Sequence, residues 1–134
     1  MNNKIRATFL ILIVLQALHS VEELLLKFYE VFPPMALLYQ GAPHLARPAF
    51  IVANVILAAA GLVCLRRWVW PGRRGARTVV WAWAGGEAFN ATAHCVWSVA
   101  ARGYTPGLAT GLGFVPVVAC LIYLLRRAPD YTAA

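Results

Sequence analysis

The chain is organised as long apolar runs separated by short polar breaks. Four runs approach or exceed the roughly 20 residues that an α-helix needs to cross a bilayer, at about 5–26, 48–65, 76–100 and 107–125. None of them alternates apolar and polar residues, as the strands of a membrane barrel do. Because a helix satisfies its own backbone hydrogen bonds in lipid, the pattern predicts a single all-α domain over residues 1–134, an integral membrane four-helix bundle.

Proline and glycine residues mark the connections between these helices. The first connection, over about residues 28–47, contains Pro33 and Pro34 but is otherwise largely apolar. We therefore expect it to lie at the membrane interface or to fold over the helices. Pro71 marks the second connection, and Pro106 marks the third.

The charged residues predict the direction of the helices. Only 13% of the residues are charged, about half of the share in a soluble domain. Nine of the 12 lysines and arginines fall on one side of a four-crossing chain: Lys4, Arg6, Arg66, Arg67, Arg73, Arg74, Arg77, Arg126 and Arg127. The positive-inside rule then places both termini in the cytoplasm. This topology explains the net charge of +7 better than nucleic-acid binding does, because no soluble basic face remains.

Polar residues interrupt the apolar runs at one depth. Six of them form two stripes, one on the first helix and one on the third: His19, Glu22, Glu23, Glu87, Asn90 and His94. At a rise of 1.5 Å per residue both stripes lie about 16–27 Å from the cytoplasmic edge, towards the outer half of the membrane. An ionised side chain near the centre of a membrane helix costs about 2.5–3.5 kcal/mol. We therefore expect the stripes to face one another and to be paired, protonated, hydrated or bound to a cation.

Two short motifs connect these stripes to a known family. HSVEE at residues 19–23 and NATAH at residues 90–94 resemble the paired HxxEE and NxxxH signatures of the HXXEE-domain family. Members of that family are small, multi-spanning bacterial membrane proteins, so the resemblance implies that the helices lie in the bacterial inner membrane. The order and the separation of the motifs match, and the resemblance covers nearly the whole chain. It implies that the polar residues form one site with a suspected enzymatic role, and it leaves the reaction open.

The residue types suggest metal chemistry, because imidazoles and carboxylates are ligands of zinc, iron and manganese. We predict that one divalent metal ion binds His19, Glu23 and His94. Three further residues are catalytic candidates: Glu22, Glu87 and Asn90. Glu22 would act as a general base or as a partner of a metal ligand. A metal-free alternative stays open, because three carboxylates held close together cannot all ionise. One protonated carboxyl beside a histidine would then form an acid–base pair.

The favoured function is a membrane enzyme that acts on a lipid or another apolar small molecule. Four residues are weaker candidates for substrate binding: Asn54, Tyr104, Thr105 and Thr110. The alternative is a non-enzymatic membrane protein, either a partner-binding protein or a small carrier or ion-handling protein, whose cluster is structural or binds an ion. Gly107 with Gly111, and Gly85 with Gly86, suit close helix packing within one chain or in a homodimer.

Overall fold

The computed structural model describes residues 1–128, and these are almost entirely helical. The elements are, in chain order, α1 (Asn3–Leu25), α2 (Phe28–Val31), α3 (Pro33–Leu38), a 3-10 turn (Pro43–Leu45), α4 (Ala46–Cys64), a π-helical turn (Leu65–Val69), α5 (Ala76–Ala100) and α6 (Leu108–Arg127). No strand occurs within residues 1–128. The prediction of an all-α chain is confirmed.

Local sequence signals account for several helix ends. The side chain of Asn2 accepts a hydrogen bond from the backbone N–H of Lys4 at 2.9 Å and so caps α1. Pro33 occupies the first turn of α3, where its missing N–H has no cost. The residues that precede α5 and α6 are Gly75 and Gly107, with φ angles of 85° and 86°. Glycine adopts this left-handed conformation without steric strain, so both helices can begin directly after a sharp turn.

Three of the long helical segments are long and apolar enough to cross a membrane: Asn3–Leu25, Pro43–Val69 and Leu108–Arg127. Their mean hydropathies are 1.6, 2.3 and 2.3. The 25-residue helix α5 is not among them, because the polar residues Glu87, Asn90 and His94 reduce its mean hydropathy. The fourth crossing, and the side of the membrane on which the termini lie, stay predictions.

Helix α6 lies between α1 and α5 and packs closely against both. The interior of this layer is made of large apolar side chains such as Phe9, Leu12, Phe114 and Leu121, each 0% exposed. Helix α4 packs mainly against α1 among the long helices, meets Trp83 of α5 at Gly61, and buries only three residues, Ala46, Phe50 and Gly61. This looser packing leaves room between α4 and α5.

Both ends of the described chain lie beside the connection between α4 and α5. A Cβ atom on Gly72 would lie 3.0 Å from the backbone nitrogen of Met1. Arg77 Nη1 donates a hydrogen bond to the carbonyl of Ala128 at 3.1 Å. Helices α1, α4, α5 and α6 therefore all run between the same two ends of the molecule.

The connection that follows α1 folds over the helices, which is one of the two positions expected for it. It contains α2 and α3, and Phe28 of α2 contacts the rings of His94 and Trp97 with centroids 5.8 Å apart in each case. Tyr29 and Phe50 are both buried, with ring centroids 5.8 Å apart. These aromatic contacts cover the end of the polar stripe on α5.

Candidate functional site

His19 and Glu23 of α1 meet His94 of α5 in the interior of the protein. Their ligand atoms all lie within 4.8 Å of one another. Glu23 Oε1 lies 3.6 Å from Nε2 of His19 and 3.3 Å from Nε2 of His94. The two imidazole rings meet edge to face with centroids 4.8 Å apart. All three residues are buried, so the three predicted metal ligands form one compact cluster.

The hydroxyl of Thr110 on α6 links His19 to Glu22. Thr110 Oγ1 lies 2.5 Å from Glu22 Oε2 and 2.7 Å from Nδ1 of His19. Because a carboxylate only accepts, the hydroxyl hydrogen goes to Glu22, and Oγ1 accepts the Nδ1–H of His19. The free lone pair of a neutral His19 is then on Nε2. That nitrogen is buried without a hydrogen-bond partner in the described part of the chain.

The carboxylate of Glu22 caps the N-terminus of α6. It accepts hydrogen bonds from the backbone N–H groups of Gly107 at 3.1 Å, Ala109 at 3.3 Å and Thr110 at 2.9 Å. These amides have no partner inside the helix, and the positive end of the helix dipole favours a negative charge there. The hydroxyl of Tyr104 also donates to Glu22. This hydrogen bond raises the pKa of Tyr104 above its ordinary value.

The glycine that begins α6 lies directly against both imidazoles. A Cβ atom on Gly107 would lie 2.7 Å from Cε1 of His19 and closer still to Cε1 of His94. One turn later, a Cβ atom on Gly111 would lie 3.5 Å from Cβ of His94. Both glycines thus face the cluster within their own chain. A homodimer through Gly107 and Gly111 stays a prediction.

Aromatic rings hold the two imidazoles in place. Phe114 lies against His19 with centroids 5.3 Å apart, and Trp97 lies against His94 at 6.2 Å. Nδ1 of His94 is buried and has no hydrogen-bond partner among residues 1–128. Buried polar atoms in proteins almost always have a partner. Nδ1 of His94 faces Gly107, where a Cβ atom would lie 2.8 Å away, whereas Nε2 of His19 lies inside the cluster, 3.6 Å from Glu23 Oε1. The nitrogen of His19 without a partner therefore indicates a site arranged for a bound group.

A cavity of about 470 Å³ lies beside the cluster, between α1, α4 and α5. Its inner wall is α1, from which the buried side chains of Gln16, His19 and Glu23 face the space. Its outer rim includes Leu57 of α4 and Gly86 of α5, which are both exposed. A molecule can therefore reach the cluster from the side of the protein.

Glu87 lies in the cavity wall and is 5% exposed. Asn90 Nδ2 donates to its Oε2 at 3.3 Å. The amide of Gln16, with its nitrogen turned towards Glu87 as the surrounding donors and acceptors require, lies 2.9 Å from Oε2 and 3.0 Å from Oε1. Sequence reasoning missed Gln16. The available signal was its position three residues before His19, on the same face of α1.

The remaining candidates from the sequence lie in different places. Asn54 lines the cavity, and its Oδ1 accepts a hydrogen bond from Ser20 at 2.6 Å. Thr105 is buried at the turn before α6, while Tyr104 and Thr110 hydrogen-bond the capping carboxylate on α1. None of these three lines the cavity. Their participation in substrate binding stays a prediction.

These features define a class: an all-helical protein with three helices apolar enough to cross a membrane and a buried histidine–glutamate cluster able to hold a metal ion. The chain matches, over residues 10–121, the family described as "Protein of unknown function with HXXEE motif". It belongs to this HXXEE family, which confirms the resemblance carried by the motifs at 19–23 and 90–94. Searches of curated proteins and of solved structures find no match.

Proposed function

We propose that the protein is a membrane enzyme that holds one divalent ion of zinc, iron or manganese between His19, Glu23 and His94. Its substrate would be a lipid or another apolar small molecule. The observation that carries the proposal is the buried cluster itself, with all ligand atoms within 4.8 Å and a cavity beside it. Three protein ligands and an open position are the arrangement of catalytic rather than structural metal sites.

His19 fits a metal ion in a second respect. A histidine that binds a metal almost always donates its other ring N–H to a fixed acceptor. His19 donates Nδ1–H to Thr110 at 2.7 Å, and its unpartnered Nε2 faces the cluster. A divalent ion would also balance the charges of Glu23 and Glu87, which are both buried. No lysine or arginine of the described chain lines the cavity to do so.

The residues around the cavity suggest separate roles. A bound metal would polarise a substrate oxygen or activate a water molecule. Glu87 is the candidate general base or acid, because it faces the cavity and the amides of Gln16 and Asn90 orient its carboxyl group. Glu22 does not line the cavity. It acts instead as a positioning residue, holding His19 through the hydroxyl of Thr110.

The proposed topology has four crossings, with both termini in the cytoplasm and the helices in the bacterial inner membrane. Helix α5 runs between the same two ends of the molecule as the three apolar helices, which supports the proposal that it crosses with them. The end that carries Met1, Gly72 and Ala128 also carries the surplus of basic residues. The positive-inside rule assigns that end to the cytoplasm. The cluster then lies towards the outer half of the membrane.

Elemental analysis of the purified protein tests the proposal. We expect close to one metal ion per chain, lost in His19→Ala and His94→Ala. His44→Ala is the matched control, because the third histidine is exposed and lies outside the cluster. Glu23→Ala should lose the metal as well. Its matched control is Glu30→Ala, because Glu30 is exposed and pairs with a lysine. A well-folded wild-type protein without metal would refute the proposal and favour the metal-free acid–base alternative.

Glu87→Gln separates an enzyme from the non-enzymatic alternative. The substitution keeps the shape of the side chain and removes its capacity to exchange a proton. We expect the variant to keep its metal and to fail to complement a deletion strain. Full complementation by Glu87→Gln, with the metal retained, would favour a structural or ion-binding protein over an enzyme.

A further inference from the structure

The mouth of the cavity is apolar and opens sideways. Leu57 of α4 and Ala82 and Gly86 of α5 line it, and all three are exposed. Ala82 and Gly86 are four residues apart and so lie on one face of α5. In the proposed topology this opening faces the hydrocarbon layer of the membrane. A ligand that enters there must pass through lipid, where a charged group is costly.

The inner wall of the same cavity is polar but holds no cationic side chain. Gln16 and Asn90 supply amide groups, and Glu23 and Glu87 supply carboxyl groups. The lysine nearest in sequence to this wall, Lys27, follows α1, is 63% exposed and lies 3.6 Å from Glu30 instead. An anionic head group would therefore be buried beside two acids with no arginine or lysine to pair with it. A cationic group would be repelled by a divalent ion at the cluster.

We propose that the cavity takes an uncharged amphiphile, an alcohol, ester, amide or ketone on a hydrocarbon body, which enters sideways between α4 and α5. The uncharged polar group would lie against the amides and the cluster, and the hydrocarbon body would lie along Leu57 and Trp83 at the mouth. The volume of about 470 Å³ suits one small molecule. This inference rests on the proposed function and deepens it, because it names the substrate class.

Trp83 reports on occupancy, because it is the tryptophan that lines the cavity. The probes are three undecyl chains with a terminal bromine, which quenches tryptophan fluorescence at short range. Their head groups are an alcohol, a phosphate and an ammonium. Each probe is titrated into the full-length protein in phosphatidylcholine nanodiscs. The difference between the wild type and Trp83→Phe isolates Trp83 from the other four of the five tryptophans.

We expect saturable quenching of Trp83 by the alcohol. The phosphate and ammonium probes should need at least about tenfold higher mole fractions for half-saturation. The phosphate would be buried beside two acids without a cationic partner, and the ammonium would be repelled by the divalent ion of the proposed function. Quenching that stays linear with the alcohol, or saturates as readily with the phosphate, would overturn the inference. Tighter binding of the ammonium probe would overturn it as well.

Two neighbouring glycines provide matched variants. A Cβ atom would meet nothing within 4 Å at either Gly85 or Gly86, and only Gly86 lines the cavity. Gly86→Leu should abolish the saturable component, and Gly85→Leu should keep it. Loss in both variants, or in neither, would contradict the assignment of the cavity. Metal content measured on the same samples tests the proposed function separately, because Gly86→Leu should keep its metal.

Discussion

The motif at residues 19–23 places polar side chains on two sides of α1, and the two sides make different contacts. On the side facing α6, Glu22 accepts five hydrogen bonds, four of them from α6 and its preceding glycine and one from Tyr104. On the side facing the cavity, Glu23 has no polar partner among residues 1–128 except two imidazole nitrogens, at 3.3 and 3.6 Å. Consecutive helical residues are about 100° apart. Two adjacent glutamates can therefore serve different neighbours.

This difference separates a positioning surface from a reacting one. At the α6 surface the capping carboxylate and the Thr110 hydroxyl are fully paired, and the hydrogen bonds run on to Nδ1 of His19. At the cavity surface Nε2 of His19 is left without a hydrogen-bond partner among residues 1–128. A paired surface stabilises the fold, whereas unpaired buried nitrogens favour a ligand. The predictions below separate these two properties.

The largest loss of stability is expected from Gly107→Ala. Alanine is strained at a φ of 86° and its Cβ would collide with both imidazoles. We expect a loss of about 3–5 kcal/mol in the free energy of unfolding, from left-handed strain plus overpacking. Gly75→Ala is the control, because Gly75 has a φ of 85° and open space around its Cβ position. It should lose only about 1–2 kcal/mol. Equal losses in unfolding titrations would contradict the close packing of α6 on the cluster.

Amide substitution should cost much more stability at Glu22 than at Glu87. Glu22→Gln places an NH2 group against fixed backbone donors of α6, so we expect a loss of about 2–4 kcal/mol. Glu87→Gln should change stability by less than about 1 kcal/mol, because its partners Gln16 and Asn90 are amides that can rotate. Thermal or denaturant unfolding in one detergent compares the two variants directly. A larger loss in Glu87→Gln would reverse the assignment of the two surfaces.

Removal of the Thr110 hydroxyl should weaken metal binding more than it weakens folding. Thr110→Val keeps the shape of the side chain but removes the acceptor that fixes Nδ1–H of His19. We expect metal affinity to fall about 10–100-fold, the usual effect of losing such a partner. Thr110→Ser keeps the hydroxyl and should restore most of the affinity. Competition with a metal-binding dye measures both variants, and equal affinities would show that the hydroxyl has no part in positioning His19.

The smallest effect concerns Tyr104, which is 59% exposed. Its hydrogen bond to Glu22 raises its pKa in the folded protein, so this contribution to stability is fully present below the ordinary tyrosine pKa. It is lost as the pH rises through the raised value. The Tyr104→Phe variant should therefore be slightly less stable than the wild type at neutral pH. As the pH becomes alkaline, its stability should fall less than that of the wild type. Identical alkaline unfolding profiles would rule out the hydrogen bond.

Helical periodicity was sufficient to predict the ligand cluster, because His19 and Glu23 share one face of α1 and polar residues at matching depth avoid lipid together. The capping role of Glu22 could not be predicted in the same way. Its main partners are backbone N–H groups of residues 107–110. Every residue except proline carries such a group, so the sequence does not single out these donors. Gly107 was predicted to serve helix packing, yet the atoms that it packs against are the imidazoles. The cavity depends on how loosely α4 packs, which residue patterns along a single helix do not specify.

X-ray absorption spectroscopy at the metal edge tests the central claim most directly. For metal-loaded protein in phosphatidylcholine nanodiscs, we predict nitrogen and oxygen ligands at about 2.0–2.2 Å and the ring scattering of two imidazoles. The spectrum should be unchanged in His44→Ala, whereas the variant with His19 and His94 both replaced by alanine should retain no metal and give no metal-edge signal above that of the buffer. A bound metal whose spectrum contains no imidazole scattering in the wild type would contradict the claim that His19, Glu23 and His94 hold it.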